Sequence, residues 1–251
     1  MKVSDLLVYL ENLLKPSLFR DYCPNGLQLG NENDQISKIA FGVTADLETI
    51  EQAIAYQANV LVTHHGILWN ADSLPIVGRK KIRIEKLLQS RISLISYHLP
   101  LDAHNEIGNN WKVARDLNWN DLCTFGSSLL PIGVAGTFDP ISIEDFQSLL
   151  SKYYQSHPIG SVLGGKRIVS SAAIMSGGAY KEIDLATRLG YDCFITGNYD
   201  EPAWSIAMEE KINFFAYGHT ITERIGITAL SEKIEKKFGL NCKVLVSTNL
   251  F

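Results

Sequence analysis

Two adjacent histidines, His64 and His65, close the apolar run VLVTHH, and two His-x-x-x-carboxylate pairs follow downstream: His98 with Asp102 in YHLPLDAH, and His219 with Glu223 in GHTITER. Imidazole nitrogen and carboxylate oxygen suit zinc, iron, manganese and similar ions. These six groups exceed what one four-coordinate ion can use, so the expected chemistry is that of a two-metal site.

The groups sit at matching places in an internal near-repeat. In the first half FGVT (41–44) leads through an amphipathic stretch to NVLVTHH, then to the helix-like KIRIEKLLQS and the strand ISLISYH. In the second, AAIM (172–175) leads through KEIDLATRLG to CFITGN, then to WSIAMEEK and NFFAYGH. Thr44 to Thr63 is a step of 19 and Met175 to Thr196 a step of 21, so His64-His65 correspond to Gly197-Asn198, and His98…Asp102 to His219…Glu223. Each half reads as strand, helix, strand, helix, strand, the pattern of parallel-sheet α/β units. Ligands of such sheets gather beyond the carboxyl ends of the strands. The expected fold is α/β: two similar halves, 1–123 and 166–251, with a small α+β insertion, 124–165, between them, and a metal site at the strand ends between the halves.

Each residue also has a simpler reading. On an extended chain His64 and His65 point to opposite sides, able to serve two ions, or one ion and a proton relay; alternatively they are a satisfied pair in a loop. Asp102 or Glu223 can bridge two cations because a carboxylate has two oxygens, yet Asp102 follows Pro100, where a turn would use it, and Glu223 at a helix start would favour the helix dipole. His98 suits ligation, a position behind the ligands, or proton transfer. His104 stands in a polar loop and His157 in a turn-rich stretch, neither expected to bind metal. Gly177-Gly178 could offer amides to a phosphate or simply make a tight turn. Among basic residues, Arg224, Lys166 and Arg167 are the candidates to reach the motifs.

The 251 residues, 46% hydrophobic, can bury a large core. A formal charge of −4 without a basic run gives duplex nucleic acid little to hold. Cys23, Cys123, Cys193 and Cys242 form no C-x-x-C pair and point to a reduced compartment. MKVSDLLVYLENLLK reads as an amphipathic helix instead of a signal peptide, and no uncharged apolar run approaches membrane-spanning length; the expected location is the cytoplasm. Helix caps are expected at Ser4, Asp46, Ser142 and either Asn109 or Asn110. LLPIGVAGTF (129–138) and CKVLVS read as strands, and Thr222–Phe238 as a long helix stopped by Gly239. Trp69, Tyr153, Tyr154 and Trp204 look exposed and suited to self-association; the alternative is that they are core residues, a reading of equal weight for Trp204 on its amphipathic helix.

Taken together, DYCPNGLQLG, GVTADLETIEQA, VTHHGILW, YHLPLDAH, GNN, DCFITGN and GHTITERIGI resemble the family of GTP cyclohydrolase 1 type 2 homologues, named in eukaryotes for an NGG-interacting factor. HHGxxW with GHxxTER is specific in combination, and the 124–165 stretch is the least matched. The resemblance implies an α/β protein with a dinuclear metal centre of two divalent ions, assembled as a ring-shaped homohexamer. It carries the metal positions onto His64, His65, Asp102, His219 and Glu223, and sets His98 beside the centre as the catalytic candidate. Where many relatives read ITGE, this chain has Thr196-Gly197-Asn198, a neutral amide in place of an acid. The implied activity is metal-dependent hydrolysis of a small-molecule substrate, a purine nucleotide or related heterocycle. The alternative is a non-catalytic metal-handling or scaffold protein.

Overall fold

Lys38–Thr44 and Val60–His65 are buried along almost their whole length, as strands covered on both faces must be. A computed structural model describes residues 1–127, 129 and 131–249. The chain begins with α1 (Val3–Leu14), β1 (Gly26–Leu29), β2 (Lys38–Thr44), α2 (Leu47–Tyr56), β3 (Val60–His65), α3 (Gly78–Gln89) and β4 (Ser93–Ser96). It continues through α4 (Leu99–Asp102), α5 (Asn109–Asp116), β5 (Asn120–Phe125), β6 (Gly133–Ser142), α6 (Ile143–Tyr154) and β7 (Gly160–Leu163). There follow β8 (Ile168–Met175), α7 (Ile183–Arg188), β9 (Cys193–Thr196), α8 (Pro202–Glu209), β10 (Asn213–Ala216), α9 (His219–Phe238) and β11 (Asn241–Val244).

Both repeats become parallel three-stranded cores. β2, β3 and β4 pair in parallel with Phe41 opposite Val62 and Val62 opposite Ile95. β8, β9 and β10 do the same with Ile174 opposite Ile195 and Ile195 opposite Phe215. The complete sheets run β1-β4-β3-β2-β11 and β5-β6-β8-β9-β10-β7. In each, the third repeat strand is flanked by an antiparallel neighbour from earlier in the chain, β1 on β4 and β7 on β10. The stretch read as an insertion supplies β6, β7 and α6. β6 pairs with β8, and Phe146, Leu150 and Tyr154 of α6 enter a core with Ile174, Phe215 and Tyr217.

The chain divides into two compact units, Met1–Leu101 with Gly226–Thr248, and Asp102–Ile225. This grouping follows packing, whereas the boundaries at 123 and 165 follow the repeat. The first unit's core gathers Ala40, Ile50, Leu61, Leu87 and Leu94. Among the described residues the second has two clusters, one of them around Phe194, Phe214 and Ala216. No helix among the described residues is long and apolar enough to cross a membrane.

Several local expectations change. Ser4 is not a cap: α1 starts at Val3, and Asp5 accepts a hydrogen bond from the Lys2 amide. Asp46 and Ser142 do cap, accepting from the amides of Thr49 and Asp145. Asn109 and Asn110 lie inside the first turn of α5, after Gly108, with both side chains committed elsewhere. The long helix begins three residues early, at His219. The strand expected over 129–138 starts at Gly133, and Leu130 lies outside the described residues. Of the aromatics expected at the surface, Tyr154 is core, its ring 4.9 Å from that of Tyr217. Tyr153 is half-buried and donates to Asp116, and Trp204 is 62% exposed.

Candidate metal centre

In the first unit, β3 delivers His64 and His65 at its carboxyl end, and the chain leaving β4 delivers His98. The ring nitrogens of the three lie within 4.8 Å of one another. The rings of His64 and His65 are 4.7 Å apart, and His98 stands 5.0 Å from His64 and 5.6 Å from His65. The two rings lie together instead of on opposite sides, each held from a different neighbouring strand. His64 Nδ1 meets the Tyr97 carbonyl on the β4 side at 3.1 Å, and His65 Nδ1 meets Thr44 Oγ1 on the β2 side at 3.0 Å. A carbonyl only accepts, so His64 carries its proton on Nδ1 and its lone pair on Nε2, as a metal-binding imidazole requires.

The loop after the histidines is held by the NGLQLG motif. Gln28 Oε1 accepts from the amides of Ile67 and Leu68 at 2.9 and 3.1 Å. A β-carbon at Gly66 would collide with that Gln28 amide, so the glycine of HHG is a close-approach position. Trp69 is placed here too, its ring 5.4 Å from that of His98; it belongs to the site and not to the free surface expected of it.

Asp21 was not singled out by the sequence. Its Oδ1 accepts from His98 Nδ1 at 2.7 Å and its Oδ2 from the Leu99 amide at 3.0 Å, 77 and 78 residues away in the chain. Burial acts to raise this carboxyl, but hydrogen bonds from His98, Asn25 and the Tyr22 amide outweigh it and hold the group below its ordinary value. Cys23 also lies within metal-binding reach of Asp21 and His98, yet burial and the Asp21 charge push its thiol up to about 12.

In the second unit, His219 and Glu223 stand one turn apart on α9, with Nε2 and Oε1 3.1 Å apart. Asp102, 2% exposed, accepts from Asn109 Nδ2 at 2.7 Å and from Ser176 Oγ at 3.4 Å. Asn110 in turn accepts from the Ser176 amide at 2.7 Å. The GNN motif therefore serves Asp102 and its neighbour Ser176. The next residue, Gly177, abuts both metal-ligand candidates of α9: a β-carbon there would run into Glu223 Oε1 and lie 3.1 Å from His219 Nε2. With φ at +68° the position is doubly restricted to glycine. Gly177→Ala is expected to lower the unfolding free energy by upward of about 1 kcal/mol, read by urea denaturation; an unchanged midpoint would refute this account of the contact.

The phosphate reading of Gly177-Gly178 loses one donor, because the Gly177 amide is given to Thr222 Oγ1 at 3.1 Å. Gly197 is as confined: a β-carbon would lie 2.7 Å from the Gly177 carbonyl oxygen and 2.8 Å from both the His219 Cα and Thr222 Oγ1. The amide of Asn198 donates to the same carbonyl. His104 accepts from the amides of Glu106 and Ile107 through Nδ1, a loop-forming role, and His157 is exposed. The basic candidates are engaged elsewhere. Lys166 pairs with Asp192 at 2.7 Å, Arg167 with Glu144, and Arg224 donates to the Tyr154 carbonyl.

The family model described as Duf34/NIF3 (NGG1p interacting factor 3) matches residues 1–249. A Chlamydia pneumoniae protein named GTP cyclohydrolase 1 type 2 homolog is 54% identical over 251 residues, 100% of both chains. A Pasteurella multocida protein of the same name is 36% identical over 241 residues, 96% of each chain. Among solved structures, the protein ybgI, described as of unknown function, matches with a TM-score of 0.93 and 33% identity over 100% of both chains. A structure from Thermus thermophilus matches with a TM-score of 0.89 and 30% identity, again over 100% of both.

Proposed function

The chain belongs to the Duf34/NIF3 family, and from that premise we propose that it is a dinuclear-metal-dependent hydrolase of a purine nucleotide or related heterocycle, with opening of the GTP ring as the named case. The observation that carries this reading is the donor chemistry: three imidazoles clustered in one unit, and in the other a His–Glu pair beside a braced, buried aspartate. This nitrogen and oxygen set fits zinc, iron or manganese. His64, His65, Asp102, His219 and Glu223 would hold two divalent ions per chain, whose Lewis acidity would activate water and polarise the electrophilic carbon.

Ring opening adds water to a ring carbon, breaks its bond to nitrogen and leaves that nitrogen with a proton. His98 is the group to carry this proton: with Nδ1 engaged by Asp21, Nε2 is the nitrogen that would do so. Asp102 supplies negative charge at the centre, kept in one orientation by Asn109. We place the protein in the cytoplasm as a ring-shaped homohexamer, a reading supported by the family resemblance and by exposed Trp204. Its substrate is a small molecule and not duplex nucleic acid, in keeping with the charge of −4.

The test is to purify the protein with its metals quantified and its mass measured by light scattering, then to screen nucleotides for formate release or loss of purine absorbance. Two ions per chain, a hexamer mass and turnover of one nucleotide are expected. Metal without turnover of any nucleotide would favour a second reading, a metal-handling or scaffold protein. The pairing of Lys166 with Asp192 and of Arg167 with Glu144, away from a triphosphate clamp, speaks for that alternative. An exchangeable water position on an ion would argue for catalysis, a closed shell against it.

A further inference from the structure

We propose that Asp21 is a positioning residue that fixes His98 in one tautomer, with its proton on Nδ1 and its lone pair on Nε2; this deepens the proton-transfer role given to His98 above and rests on that reading. The Asp21 side chain is 3% exposed and that of His98 13% exposed. Four nitrogen donors converge on the carboxylate, with the Cys23 thiol a weak fifth at 4.0 Å from Oδ1. Oδ1 receives the Tyr22 amide at 2.6 Å and His98 Nδ1 at 2.7 Å, while Oδ2 receives Asn25 Nδ2 at 2.9 Å and the Leu99 amide at 3.0 Å. A carboxylate of two oxygens is then saturated and cannot rotate without losing bonds.

The surroundings repeat the constraint. Asn25 Oδ1 accepts from the His98 amide at 2.8 Å, so one asparagine holds both the carboxylate and the backbone of its partner. Asn70 ties the same loop to the segment after His65, donating from Nδ2 to the Asp21 carbonyl and from its amide to the Tyr22 carbonyl. The rings of Trp69 and Tyr22 meet His98 edge-on at 5.4 and 6.2 Å. An ionised carboxylate accepts only, so the imidazole must donate from Nδ1, and which nitrogen is protonated decides what the other can do.

Asparagine at this position separates the proposal from a merely structural role. It has nearly the same shape, but one of its two ends is a donor. Of the four nitrogen groups facing it, two are backbone amides and one is the Asn25 Nδ2 group, all fixed donors; the Oδ2 side carries two of them and the Oδ1 side only the Tyr22 amide, beside His98, which can become an acceptor by moving its proton to Nε2, and the distant Cys23 thiol. Asp21→Asn is therefore expected to turn its amide nitrogen toward His98 and reverse the tautomer.

The measurement is the imidazole nitrogen spectrum of the full-length, zinc-loaded protein labelled with 15N-histidine, the His98 signals being assigned by their loss in His98→Gln. The wild type should show His98 protonated on Nδ1, Asp21→Asn should move the proton to Nε2, and Asp21→Glu should return it to Nδ1. An Nε2-protonated His98 in the wild type would overturn the proposal even if Asp21→Asn failed to fold, as would an unchanged tautomer in a folded Asp21→Asn. Because no turnover is needed, a failed nucleotide screen and a failed tautomer assignment are separate results.

Discussion

Replacing His64 and His219 together by alanine should strip the protein of most of its metal while leaving both sheets folded. The double change removes one imidazole from each unit's set, so neither proposed ion keeps its full complement, and a metal bond is worth far more than the local packing it displaces. The folding cost should be modest by comparison. His64 is buried with a hydrogen bond from Nδ1 to the Tyr97 carbonyl, and stranding that carbonyl costs about 1–3 kcal/mol. The apolar residues of β3, Val60, Leu61 and Val62, are untouched in the core. Elemental analysis and circular dichroism on the same sample give the answer. Metal content equal to that of the unaltered protein would sink the assignment of these positions.

His98→Ala should behave in the opposite way, retaining both ions and losing turnover by about 10²-fold or more, the usual scale for a removed acid–base group. Five other proposed ligands remain to hold the two ions, while the Nδ1 bond to Asp21 leaves His98 Nε2 available for proton transfer. Loss of one ion per chain in this variant would instead place His98 among the metal's own ligands, a role its ring nitrogen can reach, since it lies within 4.8 Å of those of His64 and His65.

The parallel triplets were legible because each is a run of apolar residues ending in chemically distinctive ones at nearly equal spacing, and the repeat stated the register twice. The edges were not. β1, β7 and β11 are short strands whose pairing partners lie far away in the chain, and four-residue segments such as NCKV carry too little pattern to announce a partner. The caps divide by mechanism: Asp46 and Ser142 are followed by unambiguous amphipathic helices, while Asn109 and Asn110 looked like caps and serve Asp102 and Ser176. Asp21 escaped notice because its meaning lies in a bond to a residue 77 positions on. The one signal available was an acid opening the motif DYCPNGLQLG, in which Asn25 and Gln28 also proved to hold the His98 and His65 segments.

The two halves of the chain began as equivalents in pattern and ended as unequal partners in chemistry, and the packing around Gly197 makes that inequality irreversible in a single step. A histidine pair could not simply be restored opposite His64-His65, because any side chain at Gly197 would meet the Gly177 carbonyl oxygen at 2.7 Å and the His219 Cα at 2.8 Å. The start of α9, through the His219 Cα and Thr222 Oγ1, occupies the room that a side chain at Gly197 would need. If the repeat arose by duplication, specialisation of one copy closed the route back. An engineer placing any side chain at Gly197 would first have to move the α9 backbone.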